Sequence, residues 1–179
     1  MGRQMAAELE RHTQLVSDPA LTEYVNRVGQ NLVLNSNSGI PFVFRLVNSE
    51  DVNAMSLPGG FVYVNIGLIA AADSEAELAA VIAHQIAHIT ARHGGEGFTY
   101  TQAPTMQVRE ADTLGVQYLY KTGYDPRAAI RFLQRVQADM ERIDALQRTI
   151  TSLPARKGNT STTVEFELIK RRILSRAWK

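Results

Sequence analysis

The stretch SEAELAAVIAHQIAHITARHG, residues 74–94, decides how the rest of the chain is read. Ser74 followed three residues later by Glu77 is a capping box, Ala and Leu dominate the interior, and Gly94 follows the basic turn Arg92-His93. These signals predict a helix over residues 75–93 with Gly94 as its stop. Leu78, Val81, Ile82 and Ile89 supply apolar surface, so the helix is expected to be largely buried. Its centre is His84-Gln85-Ile86-Ala87-His88. Histidines four apart on a helix stand roughly 40° apart around its axis, so both imidazoles can reach one metal ion from the same face. A buried imidazole pair costs desolvation unless something accepts its N–H groups. On this spacing alone, two core histidines with hydrogen-bond partners are the commoner outcome.

In the zinc-peptidase signature H-E-x-x-H, the residue after the first histidine is a glutamate that takes a proton from the metal-bound water and passes it to the leaving amine. Here that general-base position holds Gln85.

Composition bounds the alternatives. The chain has 179 residues, 45% of them apolar, which is enough for one domain with a real core and too little for two, so residues 1–179 are expected to form a single domain. A net charge of +1 gives no reason to expect nucleic acid as a partner, and Lys170-Arg171-Arg172 with Arg176 and Lys179 is most simply a solvated helix face. Without cysteine there is no disulfide and no thiolate metal site, so any metal must use His and carboxylate. That absence suits a cytosolic and a periplasmic protein equally. No apolar run approaches the roughly 20 residues of a membrane span, and the first residues lack a signal-peptide core.

Residues 4–16 are helix-like and polar, and Asp18-Pro19 opens a second helix with Leu21, Tyr24, Val25, Val28 and Leu32 on one stripe. The two are expected to pack as a cover. After a loop at residues 35–39, residues 41–47 have strand composition with Phe42, Phe44 and Leu46 on one face. Residues 53–57 are a second short strand, broken by Pro58-Gly59-Gly60, and residues 61–65 a third that leads straight into the histidine helix. Past Gly94 the chain reads as irregular to Pro104, then as a helix over 105–122 that stops at Gly123. Asp125-Pro126 restarts a helix that runs with a break to Leu153, and Phe166, Ile169 and Ile173 mark a last amphipathic one after a polar loop at 158–163. There is no internal repeat. The expected class is α+β: helices packed on a small sheet beside the helix that carries the histidines.

Gly2-Arg3-Gln4, Asp18-Pro19, Tyr24-Val25-Asn26, Asn53-Ala54, Leu57-Pro58-Gly59-Gly60-Phe61-Val62-Tyr63-Val64, the histidine helix, and Glu110-Ala111-Asp112 followed by Gly123-Tyr124-Asp125-Pro126 together resemble one family. It is the gluzincin zinc metallopeptidase group that includes HtpX, BepA and the CAAX prenyl proteases, and the likeness is to its soluble, periplasmic BepA-like branch. The resemblance runs through nearly the whole chain in the right order. It implies a zincin-like fold, a periplasmic or otherwise extracytoplasmic location, zinc as cofactor and polypeptide as substrate.

The resemblance also implies roles. His84 and His88 fall on the first two zinc ligands. The third is a glutamate four residues before the Asp of an E-x-x-A-D element, and that Asp orients the first histidine from behind. The Asp is Asp112, and the ligand position is then Val108, which cannot bind metal. Glu110 is the substitute candidate, yet on a helix it lies about 200° from Asp112 while position 108 lies roughly 40° away. Glu110 therefore reaches a metal only on a rotated helix, and is otherwise a solvated carboxylate beside Arg109. The family's transition-state arginine falls on Arg142 within Met140-Glu141-Arg142-Ile143. Some relatives carry an extra histidine ligand six residues earlier, where Val136 stands, and the segments before Thr105 and around Ala138 are shorter than the family's.

Two main functions compete. A working zinc endopeptidase would add a substrate strand along Asn53-Ala54-Met55-Ser56, but Gln85 is no base near neutral pH, and losing acid–base help costs about 10²–10⁴ in rate. An engineered Glu-to-Gln variant explains Gln85, though not Val108. A pseudo-protease that binds polypeptide, with zinc weak or absent, accounts for both losses within an intact scaffold and is the favoured reading. A purely structural domain with its groove filled by its own loops is the third.

Overall fold

A computed structural model of the chain describes residues 2–93 and 105–178. Helices α1 (Gly2–His12) and α2 (Pro19–Leu34) precede strands β1 (Val43–Val47), β2 (Ala54–Leu57) and β3 (Phe61–Asn65). Helices α3 (Ile66–Ala71), α4 (Glu75–Thr90), α5 (Thr105–Thr122), α6 (Arg127–Arg135), α7 (Met140–Ser152) and α8 (Val164–Leu174) follow. The order in the sheet is β1-β3-β2, with β1 parallel and β2 antiparallel to β3. This is the α+β class expected, mainly helical with a three-stranded sheet.

The apolar stripe of α2 is buried as its spacing requires, with Leu21, Tyr24, Val25, Val28 and Leu32 in one cluster with Phe42, Phe44 and Leu46 and with the interior of α4. Helix α1 covers a different patch, where Ala6 meets Val47, Leu57 and Tyr63. A third cluster joins Val116 of α5, Ile130 and Leu133 of α6, and Ile143, Leu146 and Ile150 of α7.

Three boundaries differ from expectation. Strand β1 begins at Val43, because the ladder opens with the Val43 N–H donating to the Gly60 carbonyl, and Pro41 and Phe42 lie outside it. The sheet does not run straight into the histidine helix: the short helix α3 intervenes, burying Ile66, Leu68 and Ile69. Helix α4 ends at Thr90 rather than at residue 93, and Gly94 lies outside the described residues, as does the segment up to Pro104. Its closing turn needs no glycine. Arg92 takes the left-handed conformation, φ 55°, while its N–H donates to Ile89 O and the His93 N–H donates to His88 O at 3.0 Å. That is the bonding of a Schellman cap with arginine in the glycine place. A helix running on to residue 93 would carry His93 past the histidine pair; the reversal folds it back against His88.

The start of α4 is held by side chains from far away in sequence. Ser74 caps the Glu77 N–H, and Glu77 reaches back to the Asp73 N–H at 2.9 Å while Arg135 of α6 holds both its carboxylate oxygens at 2.9 Å. Glu75 is buried and accepts hydroxyls from Tyr24 at 2.9 Å, Tyr124 at 2.7 Å and Thr163. Burial first, and then the Glu75 carboxylate, pushes both phenols well above the ordinary tyrosine range, so they stay protonated donors.

Helix α5 crosses α4 closely enough that a Cβ on Gly115 would lie 3.0 Å from the His84 amide nitrogen and 3.2 Å from the Ala83 carbonyl carbon. Both are backbone atoms that cannot swing away. Gly115→Ala is therefore expected to push α5 outward and cost about 1–2 kcal/mol, outweighing the roughly 1 kcal/mol by which a helix prefers alanine. A urea midpoint equal to or above that of the unaltered chain would show the crossing to be looser than this.

Helix α8 reaches the start of α2 through Arg172, which pairs with Asp18 at 2.5 Å. Asp18 also caps α2 by accepting the Leu21 N–H. The Arg172 hydrogen bond, opposed by burial, holds the Asp18 carboxyl below its usual range. A carboxyl with a lowered folded pKa stabilises the fold above its unfolded pKa, near 3.9, and loses that contribution as pH falls through the folded value. Asp18→Asn keeps the cap and loses the charge. It is expected to melt below the unaltered chain at pH 7, with the gap closing below about pH 4; a gap independent of pH would mean that the cap, not the ion pair, was damaged.

Candidate functional site

His84 and His88 lie on the face of α4 that turns toward α5, and their Nε2 atoms are 3.1 Å apart. Two nitrogens on one tetrahedral zinc stand roughly 3.3 Å apart for Zn–N bonds near 2.05 Å. The pair is thus spaced to share an ion, given the right lone pairs.

Behind His84, its Nδ1 lies 2.8 Å from Asp112 Oδ1. The contact is short but bent away from hydrogen-bond geometry; the carboxylate still favours a proton on Nδ1 and leaves Nε2 as the lone-pair atom. Asp112 is 9% exposed and is gripped by Arg142, whose Nε and Nη2 donate to its two oxygens at 2.6 and 2.8 Å. Burial pushes the Asp112 carboxyl up, and Arg142 and His84 more than reverse this, so it is held below the ordinary carboxylate range. Arg142 thus comes from α7 onto Asp112 itself.

His88 is 1% exposed. Burial first, then the neighbouring His84 and His93, holds its pKa down at about 3, so it is neutral near pH 7. Its Nδ1 lies 3.2 Å from His93 Nδ1, and His93 Nε2 lies 2.7 Å from Glu110 Oε2. Glu110 is therefore turned to His93, with its side chain 59% exposed, and not to the His84–His88 pair. Val108, the residue on which the family resemblance puts a third ligand, is half-buried and carries a hydrocarbon side chain with no donor atom. Among the described residues, no three His, Cys, Asp or Glu side chains form a group that could hold a metal ion. The histidine pair fits two coordination positions for zinc; Val108 does not fit the third.

Gln85 is buried at 9% exposure and accepts the Ser56 hydroxyl at 2.8 Å. This bond ties β2 to α4 at the position where the signature has its base. Beside it opens a cavity of about 210 Å³ bounded by Asn53, Ala54, His84 and Gln85 on one side. Val116, Phe132, Leu133 and Leu146 make its apolar wall, Asp112 and Arg142 lie at its polar side, and Val136 also reaches it.

β2 is the last strand of the sheet, and β3 is its ladder partner. The Asn65 N–H donates to Asn53 O, so by antiparallel alternation Ala54 and Ser56 turn their main-chain groups away from β3. The edge is not open along its whole length. Asn53 is exposed and Met55 half-buried, whereas Ala54 is 6% and Ser56 0% exposed. The accessible rim is Asn53 to Met55, with Ser56 facing inward to Gln85. In the sequence the basic turn Arg92-His93 signals only a helix end, and nothing local signals the tie of His93 to Glu110.

Residues 19–108 match the family model described as Peptidase family M48. The chain is 33% identical over 184 aligned residues to the beta-barrel assembly-enhancing protease of Yersinia pestis, covering 79% of this chain and 38% of that protein. The protein of the same name in Escherichia coli is 32% identical over 76% of this chain and 37% of its own length. The mitochondrial metalloendopeptidase OMA1 of Schizosaccharomyces pombe is 28% identical over 65% of this chain and 44% of its length. The chain thus spans less than half the length of these relatives.

Proposed function

This chain belongs to peptidase family M48, and on that premise we propose that it is a metalloendopeptidase-family domain that binds extended polypeptide and, as its residues stand, turns it over very slowly or not at all. Gln85 carries the reading. A carboxamide cannot take a proton from water near neutral pH, and the Gln85 Oε1 accepts the Ser56 hydroxyl, a bond that ties β2 to α4. Val108 supports it from the other helix by leaving the histidine pair without the family's third donor.

When bound to a complete ligand set, zinc supplies the family's Lewis-acid chemistry. What this chain's own residues supply is a site for polypeptide. The rim Asn53 to Met55 runs beside the cavity, and a substrate laid along it places a side chain among Val116, Phe132 and Leu133. Arg142, paired to Asp112, holds that carboxylate behind His84. The similarity to the beta-barrel assembly-enhancing proteases is what supports an extracytoplasmic setting; no helix among the described residues is long and apolar enough to cross a membrane.

The test is binding of fluorescein-labelled unfolded casein by anisotropy in the presence of a chelator, alongside an assay of cleavage. Ala54→Pro removes the outward N–H while leaving the β3 ladder in place, and is expected to weaken binding roughly tenfold. Unchanged binding would rule out the rim, and chelator-sensitive cleavage by the unaltered chain would end the pseudo-protease reading in favour of a working endopeptidase.

A further inference from the structure

A second cleft opens where the end of α5, the start of α6, the end of α7 and the segment after α7 meet. It holds about 370 Å³, toward the small end of the roughly 300–1,000 Å³ usual for ligand pockets. Arg127 and Arg156 line it, both are exposed, and neither pairs with Asp or Glu among the described residues. From these two guanidinium groups and the walls around them, we propose that the cleft captures the C-terminal residue of a polypeptide, with Arg127 and Arg156 holding its carboxylate. Asp125, two residues before Arg127, does not compete, because its oxygens accept from Arg131 and from the Arg127 main-chain N–H. Arg156 is already held in place: its Nη1 donates to Tyr120 O at 2.8 Å, and its Cζ stands 5.9 Å from the centre of the Tyr120 ring. That carbonyl takes one of the guanidinium's five N–H donors, and the others remain for a carboxylate. Lys121 and Lys157, exposed neighbours of Tyr120 and Arg156 in sequence, add positive charge that draws an anion in.

Charge alone admits any anion, and the walls narrow the choice. Ile150 and Leu153 supply apolar surface, and Asn159 holds its Oδ1 buried with no hydrogen-bond partner among the described residues. A turn of that amide toward the cleft lets the oxygen accept an N–H. A carboxylate, an N–H and an apolar side chain borne on one residue are what the end of a polypeptide offers. Inorganic phosphate brings neither the N–H nor the apolar group. An Asp or Glu inside a chain spends its side chain on the carboxylate and has none left for the apolar wall. The cleft is apart from the rim at Asn53 to Met55, yet Tyr120 and Ile150 stand only about one helical turn from Val116 and Leu146 of the first cavity. The choice of polypeptide as partner rests on the proposed function, and the test reads the two sites separately.

The probe is a neutral octapeptide ending in leucine, labelled with fluorescein at its N-terminus and made once with a free C-terminal carboxylate and once with a C-terminal amide. By anisotropy the free acid is expected to bind about tenfold more tightly than the amide, as a charged group held by hydrogen bonds does. Arg127→Glu is expected to abolish that advantage, and Arg156→Lys, which keeps the charge and loses the fork, to reduce it. Both side chains are exposed, so the melting temperature is expected to hold in each variant. In the Ala54→Pro chain the acid is expected to keep its advantage over the amide. If the advantage disappears there instead, the peptide lies on the rim and the cleft proposal fails while the rim stands. If Ala54→Pro leaves casein binding intact, the rim fails and the comparison of acid with amide still decides the cleft. Equal binding of acid and amide, an advantage indifferent to both arginine replacements, or displacement of the peptide by an equal concentration of inorganic phosphate would overturn the proposal.

Discussion

Replacing Gln85 and Val108 by glutamate together is expected to restore both zinc and casein cleavage, whereas neither replacement alone restores cleavage. The two positions do separate jobs. With two histidines as described donors the unaltered chain should hold well under one zinc per chain, since protein zinc sites normally have three or four ligands. Gln85→Glu alone adds a base with no firmly held metal to work beside. Val108→Glu alone adds the third donor one helical turn before Asp112, and should bring zinc toward one per chain and raise the melting temperature on zinc addition. Its cleavage should still lag the double variant by about 10²–10⁴, the usual worth of acid–base help. Zinc content by elemental analysis and chelator-sensitive casein cleavage across the four proteins decide the matter. Stoichiometric zinc in the unaltered chain would show that a further residue completes the site. A double variant that binds zinc and does not cleave would move the defect from these side chains to the groove.

The second large effect is on stability. Glu75→Ala should cost about 3–5 kcal/mol, because it strips three hydroxyls of their shared acceptor at the buried start of α4. Against the roughly 5–15 kcal/mol that holds a domain folded, this is a drop of about 10 °C in melting temperature. Tyr24→Phe and Tyr124→Phe each remove one of those bonds and should cost less, about 1.5–3 kcal/mol, as hydrogen bonds to a charged group do. The expectation concerns the site as well: α4 carries both histidines, and Glu75 ties its first turn to α2, to the segment after α5 and to the cap of α8. If Glu75→Ala unfolds in urea within 1 kcal/mol of the unaltered chain, the cluster is not the anchor its contacts suggest.

Much of the fold was legible because its signals are local. The apolar period of α2, the capping pair Ser74 and Glu77, the Gly123 stop with its φ of 97°, and the break at Pro58 act within a few residues of themselves. So does the four-residue spacing of His84 and His88, which places both rings on one face of any helix that contains them. Even Asp112, seen through a family likeness, could be set against Val108 and Glu110 by counting 100° per residue. The same count sets Glu110 about 200° from Asp112, but has nothing to say about what Glu110 meets there.

That was decided in three dimensions. Glu110 meets His93 because Arg92 adopts a conformation its own side chain disfavours, and the bonds that favour it, to Ile89 and His88 carbonyls, exist only once α4 has formed. Arg142 meets Asp112 across 30 residues, and Thr163 meets Glu75 across 88, through helix crossings that no local period specifies. The helix α3 escaped notice for a related reason: six residues carry too little periodicity to be seen, and burial of Ile66, Leu68 and Ile69 by the surrounding elements makes them a helix. The short-range pattern thus determined which residues this protein has available for a site, since propensity and period act along the chain. Which of them touch, and in which protonation state, was left to packing between distant segments, where a carboxylate's partner depends on which helix passes within 3 Å of it.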